Sequence, residues 1–169
     1  MGEGGSLALT SARLTSRKIT VFRGATKITL DAKGRLAIPT RYRERIGTRC
    51  DGQMVATVDR DPCLLLYPFP DWEELERKLT RLPSLNARAR SMQRLMMGYA
   101  TEVDLDASGR ILLSRELREF ANIERTVMLI GQGYKFEVWD EASWYEKRDE
   151  WLSADDDGVL PVELETLSL

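Results

Sequence analysis

Two copies of one short pattern hold the residues most able to do chemistry. Asp31-Ala32-Lys33-Gly34-Arg35 returns 75 residues later as Asp106-Ala107-Ser108-Gly109-Arg110. In each copy an Asp opens a four-residue turn and a Gly closes it, the preference of a type I turn, and an Arg follows at once. Such a turn presents backbone N–H groups beside a guanidinium. The planar fork of Arg suits phosphate oxygens or the O6 and N7 edge of guanine. The Asp can cap the turn and hold the Arg by charge. The same spacing would equally serve as a good turn closed by a structural ion pair, and spacing alone leaves both readings open.

The elements that position these turns repeat as well. Ala25–Leu36 matches Ala100–Ile111 residue for residue in Ala, Thr, Leu, Asp, Ala, Gly and Arg. An internal repeat this close means two copies of one structural unit. Thr26–Leu30 alternates as a strand, Asp31–Gly34 turns, and Arg35–Ile38 reads as the return strand of a hairpin. Pro39 and Thr40 open a short helix, Arg41–Ile46, that stops near Gly47. Gln53–Val58 and Cys63–Tyr67 are strands, the second with a continuous apolar run that predicts burial on both faces. Asp71 is expected to cap a helix from Trp72 to about Leu82, and a second helix spans about Ala87–Met97, ended by Gly98. The second copy predicts strands at Glu102–Leu105 and Arg110–Leu113, and a helix Arg115–Phe120 capped by Ser114. Strands at Thr126–Ile130 and Lys135–Trp139 follow, then a helix from Asp140 through Trp151. Tyr67 and Trp72 are echoed by Trp139 and Trp144. Each half is too short to bury much core alone, so the halves must pack on each other.

Composition excludes several classes. The chain of 169 residues has no histidine, which removes Ser-His-Asp and Cys-His catalysis and imidazole zinc sites. Cys50 and Cys63 show no metal spacing and read as free buried thiols. No metal and no cofactor is expected. No apolar run is long enough for a membrane span, and Leu7-Ala8-Leu9 is too short for a signal peptide, so a soluble cytoplasmic protein is expected. Net charge is −2, but it is unevenly spread: residues 1–49 carry +8, residues 50–139 carry −2 and residues 140–169 carry −8. The basic end surrounds the first turn with Arg23, Lys27, Lys33, Arg41, Arg43 and Arg45, a supply of phosphate attraction. A β-ribbon tip is one established way into a DNA groove.

The paired Asp-x-x-x-Arg motifs, Asp31–Arg35 and Asp106–Arg110, resemble the signature of the MraZ family of bacterial transcriptional regulators. Phe22-Arg23-Gly24-Ala25-Thr26, Gly34–Arg43 and Cys63–Pro68 resemble it too, and the likeness covers roughly residues 21–169. It implies an α+β fold of two tandem AbrB-like swapped-hairpin β-barrel halves with short helices, joined as a pseudo-dimer within one chain. On that basis residues 22–70 form the first AbrB-like domain, 71–98 the connecting helices, 99–142 the second domain, and 143–169 a C-terminal helix and acidic tail. Residues 1–20 fall outside the likeness and are expected to be a disordered extension or the product of a start codon placed too early, with Val21 as the alternative start. The resemblance implies a sequence-specific DNA-binding repressor. It would bind short direct repeats upstream of the division and cell-wall gene cluster, its own gene included, as a homo-oligomeric ring at the nucleoid. Arg35 and Arg110 become the chief DNA-contacting candidates, with Lys33, Arg23, Lys27, Arg41 and Arg43 beside them and Asp31, Gly34, Asp106 and Gly109 shaping the turns. In the second copy Glu102 and Ser108 replace Lys27 and Lys33, which makes that tip less basic.

Other features are open to two readings. Arg88, Arg90 and Arg94 form either a DNA-facing strip or a solvated helix face. Trp72 and Trp144 mark either a ligand pocket or core packing, and Asp155-Asp156-Asp157 either a metal site or a solvated tail. An antitoxin-like interaction module using the acidic C-terminus is the alternative function. An enzyme using Asp31 and Asp106 as an acid–base pair would need both carboxylates in one cleft with shifted pKa values.

Overall fold

The computed structural model of the chain describes residues 21–154 and 161–167. The expectations for residues 1–20, and for Asp155–Asp157 as a metal site, lie outside the described residues. The elements run β1 (Ala25–Thr29), β2 (Arg35–Ala37), α1 (Thr40–Cys50), β3 (Met54–Val58), β4 (Leu64–Pro68), α2 (Phe69–Thr80) and α3 (Ala87–Tyr99). The second half supplies β5 (Thr101–Glu102), β6 (Arg110–Leu112), α4 (Arg115–Phe120), β7 (Thr126–Gly131), β8 (Phe136–Asp140), α5 (Glu141–Ser153) and α6 (Val162–Glu165).

The strands form a six-stranded antiparallel sheet in the order β1-β7-β8-β4-β3-β5 and a separate two-stranded ribbon, β2-β6. Each half therefore lends its first strand to the other: β1 pairs with β7 and β5 pairs with β3. The register makes this exchange symmetric. Lys27 faces Met128 as Glu102 faces Val55. On the ribbon Leu36 faces Ile111, its own repeat equivalent. At the sheet centre Leu65 faces Glu137, with Leu64 opposite Val138 and Leu66 opposite Phe136. A pseudo-twofold axis thus passes between Leu36 and Ile111 and between Leu65 and Glu137.

Two expectations about this architecture change. The turns do not close hairpins: the strands flanking Asp31–Gly34 diverge at once, β1 to β7 and β2 to β6, because each pairs with a strand of the other half. Nor does a barrel close. The six-stranded sheet is open, with β1 and β5 at its edges.

The alternation of β3 and β4 explains the layering. All five residues of each strand are buried. Met54, Ala56, Val58, Leu64 and Leu66 point into the main core with Leu36, Ile38, Ile111, Leu113, Val127 and Leu129. Val55, Leu65 and Tyr67 point the other way, under Trp72 and Leu79 of α2 and Met96 of α3. On that second face Trp139 meets Trp144 and Trp151 of α5. Trp72 and Trp144 are thus packing residues over equivalent strands. Phe22, Tyr42 and Phe136 form an aromatic triad in the main core, with centroids 4.3–5.9 Å apart.

Several helix boundaries differ from the sequence reading. α1 continues through Gly47 to Cys50 and ends at Asp51 in the left-handed region, φ 54°. α2 begins at Phe69, one turn early, after Pro68; Asp71 lies in its first turn and pairs with Arg49 of α1 at 3.1 Å instead of capping. α3 runs past Gly98 to Tyr99, its start capped by Asn86. β5 is only two residues long, Thr101–Glu102, so of the expected Glu102–Leu105 it holds Glu102 alone. Ser114 and Asp140 cap α4 and α5 as the sequence predicts.

Leu36 and Ile111 are fully buried where the halves meet. Leu36→Ala should therefore lower unfolding free energy by about 2–5 kcal/mol, measured by urea denaturation. A change below about 0.5 kcal/mol would mean that this pairing does not hold the halves together.

Candidate nucleic-acid interface

Both Asp-x-x-Gly-Arg turns fold the same way. Asp31 Oδ1 accepts the backbone N–H of Lys33 and of Arg35, both at 2.9 Å, and Oδ2 accepts Arg35 Nε–H at 2.6 Å. Asp106 repeats this with Ser108 N–H and Arg110 N–H at 2.9 Å and Arg110 Nε–H at 3.2 Å. The Gly34 and Gly109 N–H groups close the turns onto the Asp31 and Asp106 carbonyls. Carboxylates that accept several donors favour ionisation. The Arg35 backbone N–H, helped by its side chain, lowers Asp31 to about 2, and the Arg110 backbone N–H lowers Asp106.

The ribbon brings the two turns together. Arg110 Nη1 lies 3.7 Å from Asp31 Oδ2, so the second arginine reaches the first turn. Leu36 and Ile111 point inward, while Arg35, Ala37, Arg110 and Leu112 occupy the outer face. The Arg35 and Arg110 side chains are 30% and 32% exposed. Each is steered by its Asp through Nε. Among the described residues the terminal nitrogens of Arg35 have no hydrogen-bond partner.

A second pair of arginines braces the turns, and only one of them is in the sequence prediction. Arg43 Nε–H donates to Ile38 O at 2.6 Å, and its repeat equivalent Arg118 donates from Nε to Leu113 O at 3.2 Å. Each crosses the axis to cover the other half's glycine. Arg118 would lie 3.0 Å from a Cβ placed at Gly34, and a Cβ at Gly109 would overlap Arg43. Both glycines also hold positive φ, 82° and 73°, so the space and the backbone both require Gly. Arg118 was legible in principle: the offset of 75 that relates the turns also maps Arg43 onto it.

The remaining candidates disperse. Lys33 is exposed on the first turn. Lys27 lies on edge strand β1 and pairs with Glu141 of α5 at 2.7 Å, which raises its pKa. Arg41 bonds Thr26 Oγ1 and stacks 4.6 Å over the Tyr42 ring. Arg23 is exposed, and its carbonyl accepts the Tyr42 hydroxyl. The structure thus gathers Arg35, Arg110, Lys33 and Arg43 around the ribbon, leaves Lys27 and Arg41 engaged along β1 and α1, and leaves Arg23 exposed before β1. Cys50 is half-buried and Cys63 buried; both are free thiols whose pKa burial raises. Among the described residues no three His, Cys, Asp or Glu side chains cluster as metal ligands. No described helix is long and apolar enough to cross a membrane.

Comparison with known proteins bears on this arrangement. A family model described as "MraZ protein, putative antitoxin-like" matches the chain twice, at residues 21–95 and 96–157. The chain belongs to the MraZ family. Among its relatives, "Transcriptional regulator MraZ" of Alkalilimnicola ehrlichii is 53% identical over 151 residues, covering 88% of this chain and 100% of that protein. The protein of the same name from Methylococcus capsulatus is 54% identical over 132 residues, 78% of this chain and 87% of its own length. That of Serratia proteamaculans is 49% identical over 152 residues, 88% and 100%. The two MraZ matches coincide with the two strand-exchanging halves, so the family's repeat is the unit that the pseudo-twofold axis relates.

Two outcomes follow from the turn geometry. Gly109→Ala should cost about 1–3 kcal/mol and loosen Arg43, read by thermal unfolding; an unchanged midpoint would rule out the strained, crowded site. For acid, the sign is set by the lowered pKa of Asp31. Its stabilisation is present above the ordinary carboxylate value of 3.8 and is lost as pH falls toward about 2. Asp31→Asn should therefore flatten the acid-unfolding limb in that window, and an identical limb in wild type and variant would refute the assignment.

Proposed function

We propose that the chain is a sequence-specific DNA-binding transcriptional regulator, acting as a repressor. On this reading it assembles as a homo-oligomeric ring and binds short direct repeats upstream of the division and cell-wall gene cluster, its own gene included, in the cytoplasm at the nucleoid. The names of its relatives support a role in transcription. The observation that carries the reading is the outward ribbon on which Arg35 and Arg110 stand side by side, each aimed by its own carboxylate.

The chemistry favours binding. Arg35 and Arg110 supply forked donors for base edges or phosphates, and Lys33 adds a point charge at the first tip. Arg43 and Arg118 hold the turns in place. Arg23, Lys27 and Arg41 extend a weaker phosphate-attracting field along β1 and α1. The tandem domains, near residues 22–70 and 99–142, supply one tip each. Summed over subunits on repeated sites, modest single contacts give high avidity. The same geometry argues against acid–base catalysis. Asp31 and Asp106 do lie near each other, but both are held ionised by arginine and backbone donors, the opposite of a general base poised near neutral pH.

Arg35→Ala should weaken specific operator binding by about 10–100-fold in a gel-shift titration while the oligomer persists in size-exclusion chromatography. Arg110→Ala should act in the same direction, and affinity should fall steeply with added salt. Wild-type affinity in the Arg35→Ala variant would overturn the assignment.

A further inference from the structure

The two halves diverge most outside the ribbon, and there two exposed features fit one another. From Arg77 to Thr101 the sequence holds six cations, Arg77, Lys78, Arg81, Arg88, Arg90 and Arg94, and no Asp or Glu. α3 buries Met96 against β3, where Thr57 Oγ1 donates to Met96 O at 2.6 Å. Its other side opens a groove of about 310 Å3 lined by Arg60, Arg88, Met92 and Leu95. Leu95 is 39% exposed, and Leu85, just before the helix, is 95% exposed.

The complementary feature is α6. Val162, Leu164 and Leu167 are 71%, 43% and 54% exposed and alternate with acidic and polar residues, in a C-terminal region of net charge −8. The repeat explains why α6 stands there. The offset of 72 that carries Leu64 of β4 to Phe136 of β8 also carries Phe69, the start of α2, to Glu141, the start of α5. It places α6 at the sequence position of Arg90–Gln93 in α3. α6 stands at the position α3 holds in the first half and is only four residues long. One half thus keeps a cationic arm with an apolar groove, and the other keeps an acidic segment whose apolar side chains are uncovered.

We propose that the segment Val162–Leu167 of one copy docks in the Arg60–Arg88 groove on α3 of a second copy. The donor segment and the acceptor groove are different surfaces, so the contact is head-to-tail, the kind that propagates into rings. Charge complementarity selects the pairing, and burial of Val162, Leu164 and Leu95 supplies the driving force. The inference rests on the reading of the protein as an oligomer and names the contact that builds it.

Light scattering coupled to size exclusion tests it on four proteins: the full chain, a chain ending at Ala154, Arg88→Glu, and Arg88→Glu combined with Glu163→Arg. The truncation removes no residue of the buried core, and circular dichroism checks that the truncated chain stays folded. The full chain should assemble, the truncated chain should need about tenfold or more protein to assemble, and the charge reversal should weaken assembly with partial recovery in the double variant. If the full chain assembles and the truncated chain does so equally well, the docking is wrong while the oligomer reading stands. If the full chain is a monomer, both fail. If Arg88→Glu leaves assembly intact but weakens operator binding, the arm is a DNA surface and the docking is overturned.

Discussion

The pairing of Leu36 with Ile111 is the constraint on which the molecule turns. Neither half has a complete sheet of its own, because each first strand completes the other's. The ribbon is where the chain commits to this exchange, with both inward side chains sealed from solvent. A residue paired with its own repeat equivalent fixes register absolutely, since a slip of one position would turn Leu36 and Ile111 outward and both arginines into the core. The same step that buries the apolar face therefore sets the arginines on the opposite one. Stability and the placement of the candidate site are one event here.

Electrostatics finishes what packing begins. A free arginine samples many rotamers, and ordering it on binding costs conformational entropy. Here Asp31 and Asp106 each spend one carboxylate oxygen on the turn backbone and the other on an Nε–H. The guanidinium is thus oriented through its Nε edge, which leaves its terminal nitrogens on the far side of the turn. Partial exposure matches this division: a fully solvated arginine would be undirected, and a buried one would leave its terminal nitrogens without solvent. Arg43 and Arg118 extend the logic by crossing the axis, so that each half's turn rests on a side chain from the other.

Local chemistry in the sequence revealed much of this. The turns, the caps at Ser114 and Asp140, the doubly buried run of β4 and the echo of Tyr67–Trp72 in Trp139–Trp144 all follow from residue type and spacing. What stayed hidden depends on distant partners. Nothing within Thr26–Ile38 says that its strands will part, because their partners, β7 and β6, lie far along the chain in the other half. Gly47 and Gly98 sit inside helices because packing of Ile46 and Met96 outweighs the roughly 1 kcal/mol that glycine costs there. Asp71 has the side chain of a cap, but Arg49 claims it. Lys27 and Arg41 have the charge of DNA contacts, yet Glu141 and Thr26 already engage them.

Duplication within one chain also frees the halves to differ, which a true dimer of identical chains cannot do. At equivalent positions Lys27 and Glu102 carry opposite charge, and Lys33 faces solvent where Ser108 does. An exact twofold would present a palindromic surface. This one presents a basic tip and a weaker one, so the molecule has a direction along any polymer it lies on. The divergence of α3 from α6 adds a second direction, from one end of the chain to the other. The small charge differences between two nearly identical turns therefore break a symmetry that the backbone keeps.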